Sequence, residues 1–116
     1  MVIEFDKISS HSPIWVFQSN KILDSLLVTK IEVDIINFLN NWTSHNLEIK
    51  SSYKILHGLF LIISVESNFS NPSGCSIDKL INFKKFLLIL LLKFYLIHHF
   101  YSLPEVYHYH QCNDLQ

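Results

Sequence analysis

Cys75 is one of the two thiols in the chain, and its surroundings are those in which small domains build sites. It sits in Asn71-Pro72-Ser73-Gly74-Cys75-Ser76-Ile77-Asp78, a polar stretch with turn-forming residues between an apolar run and a long helix-like run. At the entry to a helix the exposed N–H groups carry partial positive charge, which favours a thiolate. An imidazole such as His45 or His57 would then serve as its base, the arrangement of a thiol enzyme. The same residues also have a purely architectural reading. Ser73 or Ser76 caps the helix, Gly74 makes the turn, Cys75 is a small buried apolar side chain, and Asp78 places a carboxylate in the first helical turn. A third use is binding, with the backbone N–H groups at the helix start contacting a partner or a small anion.

A second group with ligand chemistry lies near the end. His108, His110 and Cys112 alternate, so on a strand they would share a face, and His98-His99 would add a fourth donor for tetrahedral zinc. Neighbouring positions on such a face are about 7 Å apart, wide for three ligands of one ion. Incidental histidines in an aromatic-rich tail are the simpler expectation, with no metal and no cofactor. Trp15, Trp42 and His45 suggest a pocket, but Trp42 continues an apolar helical stripe. His45, three residues on, is expected to bond the last carbonyls of that helix.

Several activities are disfavoured. Gly58 and Gly74 are the only glycines and neither is followed by Lys, so the phosphate-cradling loop of Walker-type ATPases is absent. A net charge of −1, with nine dispersed lysines and no arginine, offers no electrostatic footprint for nucleic acid. Cys75 and Cys112 are too far apart in sequence to signal a close-spaced zinc or redox pair. Glu4 and Asp6 stand where a secretory leader would be basic, so a cytosolic location is expected. The absence of alanine and arginine beside abundant Ile, Leu, Phe, Asn and Lys points to an AT-rich genome.

The elements that must position these residues follow from periodicity. Ile14-Trp15-Val16-Phe17 reads as a strand buried on both faces. Val28, Ile31, Ile35, Phe38 and Trp42 recur at spacings of 3 and 4, with Leu27 and Leu39 widening the stripe. This predicts an amphipathic helix capped by Asp24 or Ser25 and ending near Thr43-Ser44-His45-Asn46. Leu47 to Ile55 alternates as a half-exposed strand, and Leu59 to Val65 is a continuous apolar strand. His57-Gly58 forms the hairpin between them, Gly58 supplying a positive φ. A loop over Asn68 to Ser76 leads to a second helix from Ile77 to about Ile97.

That order predicts an α+β domain in which a small, mainly antiparallel sheet packs against two helices. Residues 1–85 form its core, and 86–116 hold the rest of the second helix and a divergent aromatic and histidine-rich tail. The run Phe86 to Leu92 is apolar all round, yet it is shorter than the roughly 20 residues that span a bilayer, and Lys93 interrupts it. A homodimer or another protein partner would cover such a surplus, and membrane association through 86–101 is the alternative.

Three strings resemble, in order and spacing, a small bacterial family whose members often carry the label "ABC transporter ATPase". They are Ser12 to Gln18 with its Trp-x-x-Gln, Phe38 to His45 with its Phe-Leu-x-x-Trp-x-x-His, and Ser73-Gly74-Cys75-Ser76-Ile77-Asp78. The likeness covers about residues 1–83 and implies a cytosolic α+β domain of unassigned activity. This chain has Val65-Glu66-Ser67 where the family has Val-Asp-Glu, and Leu59-Phe60 where it has Arg-Phe. After Lys85 the likeness ends, as expected of a truncated or frame-shifted C-terminus. Without a Walker loop the label carries no ATPase mechanism here. The expected role is a non-catalytic binding or interaction module, with a Cys75 thiol enzyme and a membrane-associated protein as the alternatives.

Overall fold

The computed structural model describes residues 1–66 and 72–89, with side chains through 87, and the backbone of 94–100. Strand β1 (Ile14–Ser19) is followed by helix α1 (Ser25–Asn41) and a short hairpin of β2 (Thr43–Ser44) and β3 (Leu47–Glu48). Strands β4 (Ser51–Leu56) and β5 (Phe60–Val65), helix α2 (Gly74–Ile89) and strand β6 (Phe94–Phe100) complete the order. The main sheet is antiparallel throughout, in the order β4-β5-β1-β6. An α+β architecture, a small antiparallel sheet with two helices, is what the chain forms.

Alternation builds the core. Trp15 and Phe17 of β1 pair with Ile63 and Leu61 of β5, and all four are buried on one face. Onto that face α1 brings Ile31, Ile35 and Leu39, and α2 brings Leu80, Ile81, Phe83 and Leu87, in one contiguous cluster. Burying each of these aliphatic side chains stabilises the fold by about 2 kcal/mol relative to exposure. The opposite face of β1 is half-buried rather than closed, so the expectation of burial on both faces is corrected: an antiparallel sheet covered by helices on one side keeps a period of two.

Local chemistry sets the ends of α1. The Asp24 carboxylate accepts from the Leu27 N–H at 2.8 Å, an N-cap that satisfies one of the free donors of the first turn. At the other end the chain turns sharply through His45 and Asn46, both at positive φ, as a two-residue hairpin loop demands. The single strand expected over Leu47 to Ile55 is therefore two. β3 pairs with β2, Ile49 drops into the core, and β4 pairs with β5. The second turn is as expected: His57 and Gly58 both have positive φ, and Leu59 N–H closes it onto Leu56 O at 2.9 Å.

The largest departure concerns the second helix. It begins at Gly74 rather than Ile77 and ends at Ile89 rather than near Ile97, and Phe94–Phe100 is a strand along the free edge of β1. Aromatic and β-branched residues in Phe94-Tyr95-Leu96-Ile97-His98-His99-Phe100 suit a sheet, and pairing there satisfies backbone groups that an open edge of β1 would leave unpaired. No helix among the described residues is long and apolar enough to cross a membrane.

Candidate functional site

The Gly-Cys stretch opens α2. Ser73 is its cap: Ser76 N–H donates to Ser73 Oγ at 3.2 Å, and Ser73 N–H donates to Ser76 Oγ at 2.6 Å, a reciprocal capping box. The Ser76 N–H that an anion would have used is thus engaged internally. Gly74 is not at positive φ and a Cβ there would meet nothing within 4 Å, so the turn does not require glycine. Cys75 is exposed rather than a buried apolar filler. Asp78 is the fifth helical residue and lies outside the first turn.

The imidazoles expected to serve Cys75 stand in exposed turns, His45 between β2 and β3 and His57 between β4 and β5. His45 does not close the end of α1. There the Trp42 N–H bonds Leu39 O at 3.4 Å, and the Met1 α-amino group donates to Leu39 O at 3.2 Å and to Ile49 O at 2.8 Å. A cation at a helix C-terminus complements its dipole. Glu66 holds the loop before β1, accepting from Ser9 N–H at 2.9 Å and Ser12 Oγ at 3.4 Å. His108, His110 and Cys112 lie outside the described residues, among which no group of three metal-binding side chains occurs.

What the fold does assemble is a groove between α1 and α2. Trp42, at the end of α1, is 1% exposed and its indole N–H donates to Ser76 O at 2.8 Å. This buried bond ties the capping box of α2 to the C-terminus of α1. Along the seam a ladder of rings follows. Trp42 meets Trp15 edge-on at 6.3 Å and leans on Phe38 at 5.3 Å. Phe38 stacks on Phe83 at 4.4 Å and 8°, and Phe83 on Phe86 at 6.1 Å. Because Trp42 matches Ser76 and Phe38 matches Phe83, the two helices run antiparallel.

Above this floor opens a cavity of about 510 Å³, rimmed by Asp34, Asn37 and Asn41 from α1 and by Lys79 and Asn82 from α2. Asn41 Nδ2 donates to Asn37 O at 2.8 Å and lies 3.4 Å from Asn37 Oδ1. Two carboxamides are thereby oriented side by side. The groups whose protonation the fold shifts lie elsewhere. Tyr53 is pushed up to about 12 by burial, helped by its 2.6 Å bond to Glu32, and Lys84 is lowered by burial and by its neighbour Lys85.

None of the five rim residues stands out in the sequence. Asp34 and Asn37 read as the solvent side of α1. The available signal is spacing: 34, 37 and 41 on one helix and 79 and 82 on the other each run along one shoulder of an apolar stripe. On the outward side of α1, Leu26 is 79% exposed and Val33 65%, around a second, smaller hollow that Asp24, Thr29 and Lys30 also line. No family model, no curated protein and no solved structure matches this chain.

Proposed function

We propose that this chain is a non-catalytic binding module of the cytosol and that the groove between α1 and α2 receives its ligand. The observation that carries the reading is the convergence of five polar side chains from two helices over a packed aromatic floor, the usual make-up of a small-ligand site. The rim sits on regular helices held by the Trp42 to Ser76 bond, so its side chains are positioned by rigid elements. The strings that resemble the bacterial family with the ATPase label include both ends of that bond, Phe38 to His45 and Ser73 to Asp78. The likeness therefore touches the same seam.

The thiol-enzyme alternative has less support. Cys75 is exposed, and the two imidazoles offered as its base are exposed turn residues of separate hairpins. The test is a fragment screen followed by amide and side-chain NMR of the 116-residue chain. Binding should move Asn37, Asn41 and Asn82, should weaken in Asn82→Ala, and should persist in Cys75→Ser. Hits that map only to other surfaces, or loss of binding on replacing Cys75, would refute the assignment.

A further inference from the structure

Resting on that groove reading, we infer that its ligand is an extended peptide segment of about three to four residues, with a positively charged group at one end and a negatively charged group at the other. Three features of the groove fix this choice over other small ligands.

The first is hydrogen-bond polarity. With one Asn41 amide hydrogen directed at Asn37 O, the row presents the Asn37 amide as donor and the Asn41 carbonyl oxygen as acceptor. Their Cα atoms are one helical turn apart, about 6 Å along the axis, while the two carboxamides touch at 3.4 Å. Backbone groups on one side of an extended chain repeat every two residues, about 6.6 Å. Asn82 faces this row from the other wall and adds a donor and an acceptor for the opposite side of the same backbone.

The second is the floor. A sugar is held by laying its C–H face on an open aromatic face, but Phe38 and Phe83 present their faces to each other, Phe83 is 9% exposed and Trp42 1%. The rings therefore make an apolar floor without offering a stacking platform. Phe86, 45% exposed and one turn beyond Phe83, lies just outside the groove's lining, where an apolar side chain of the peptide would reach it.

The third is charge at the two ends. In the antiparallel helix pair Lys79 lies near the Trp42 end and Asp34 at the far end. By the same register Lys79 stands opposite about position 40, so the two charges are about six residues of helix apart, about 9 Å, which an extended chain covers in roughly three residues. An acidic side chain or C-terminal carboxylate would face Lys79, and a basic side chain or N-terminal amine would face Asp34.

The test uses two blocked tetrapeptides, acetyl-Lys-Thr-Val-Glu-amide and the charge-free acetyl-Gln-Thr-Val-Gln-amide, and a mixture of neutral mono- and disaccharides, each titrated to millimolar concentration into the isotope-labelled chain. Expected is movement of the side-chain amide signals of Asn37, Asn41 and Asn82 by the charged tetrapeptide more than by the neutral one, with its affinity falling at least fivefold in both Lys79→Ala and Asn82→Ala. Equal response to both tetrapeptides would overturn the assignment of charged ends. Response of the same signals to saccharides but to neither peptide would overturn the peptide and leave the groove standing. Silence of those signals with every probe, in a chain that remains folded, would overturn both.

Discussion

Replacing Trp42 with Phe tests whether one buried hydrogen bond sets the groove. The substitution keeps an aromatic ring beside Phe38 but deletes the N–H that reaches Ser76 O at 2.8 Å. That carbonyl is in the first turn of α2 and keeps its intrahelical partner, so losing the bond costs about 1–2 kcal/mol. Phe has three fewer side-chain heavy atoms than Trp, and at about 0.8 kcal/mol per methylene equivalent the vacated space in a fully buried site adds roughly 2 kcal/mol. The expected loss is about 3–4 kcal/mol, a large share of the roughly 5–15 kcal/mol that holds a small domain together. Urea unfolding followed by far-UV circular dichroism gives the total. Native-state hydrogen exchange gives its distribution: the amides of Ser76 to Leu80 should exchange faster relative to the centre of β5. Phe83→Leu is the matched control, because it removes the Phe38 stack without touching the bond. It should cost about 1–2 kcal/mol, in line with lost aromatic pairing and modest repacking, and leave the start of α2 protected. A Trp42→Phe loss under about 1.5 kcal/mol, or unchanged protection at Ser76 to Leu80, would refute the idea that this contact docks α2 onto α1.

Four further perturbations probe the frame around that seam. Gly58 has φ +62°, and a Cβ there would lie 2.7 Å from Leu23 O, so Gly58→Ala should destabilise by about 2–4 kcal/mol in urea unfolding. His57→Gly, at φ +58°, should change stability by less than about 1 kcal/mol, because relief of strain and added chain entropy oppose each other. Acetylating the Met1 amine of the 116-residue chain removes a cation that donates to Leu39 O and Ile49 O. It should lower stability by about 1–3 kcal/mol, read by comparing acetylated and free chains. Tyr53 holds its proton to about 12 when folded against 10 when free, so the contribution is present below pH 10 and disappears as pH rises from 10 to 12. Ultraviolet titration should show one tyrosine ionising late, and Tyr53→Phe should remove both that late step and its share of the alkaline loss of stability.

Much of the fold is legible in residue spacing because single elements were enough to dictate it. Ile31, Ile35 and Leu39 show a helix face, Asp24 a cap, and His57-Gly58 a hairpin, each through interactions within a few residues. Reasoning from neighbours fails where a distant partner decides. The run after Lys85 has the composition of a buried helix until β1 is seen to have an open edge, and pairing with Val16 and Phe17 across more than 75 positions makes Phe94–Phe100 a strand. Leu47-Glu48 likewise pairs with β2 because two residues at positive φ turn the chain back, not because of its own alternation.

The site was less legible than the fold for a related reason. A carboxylate or carboxamide on the shoulder of a helix has the same local pattern whether it faces bulk water or a second helix. Asp34, Asn37 and Asn41 become one wall of a groove only when α2 is set opposite them, and the residues that set it there are apolar or apparently ordinary: Trp42 reads as core, Ser76 as one of two serines at the helix start. Both readings hold, and each residue has a further role through the partner it meets. The Ser76 side chain and N–H complete the capping box while its carbonyl receives the indole. A change at position 76 that loosened the cap would therefore also move Lys79 and Asn82, about one and two turns further on, relative to Asn37 and Asn41. Stability of the α2 N-terminus and the width of the groove are coupled through the same backbone, so ligand affinity should track the exchange protection of Ser76 to Leu80 across variants that touch neither ligand nor rim.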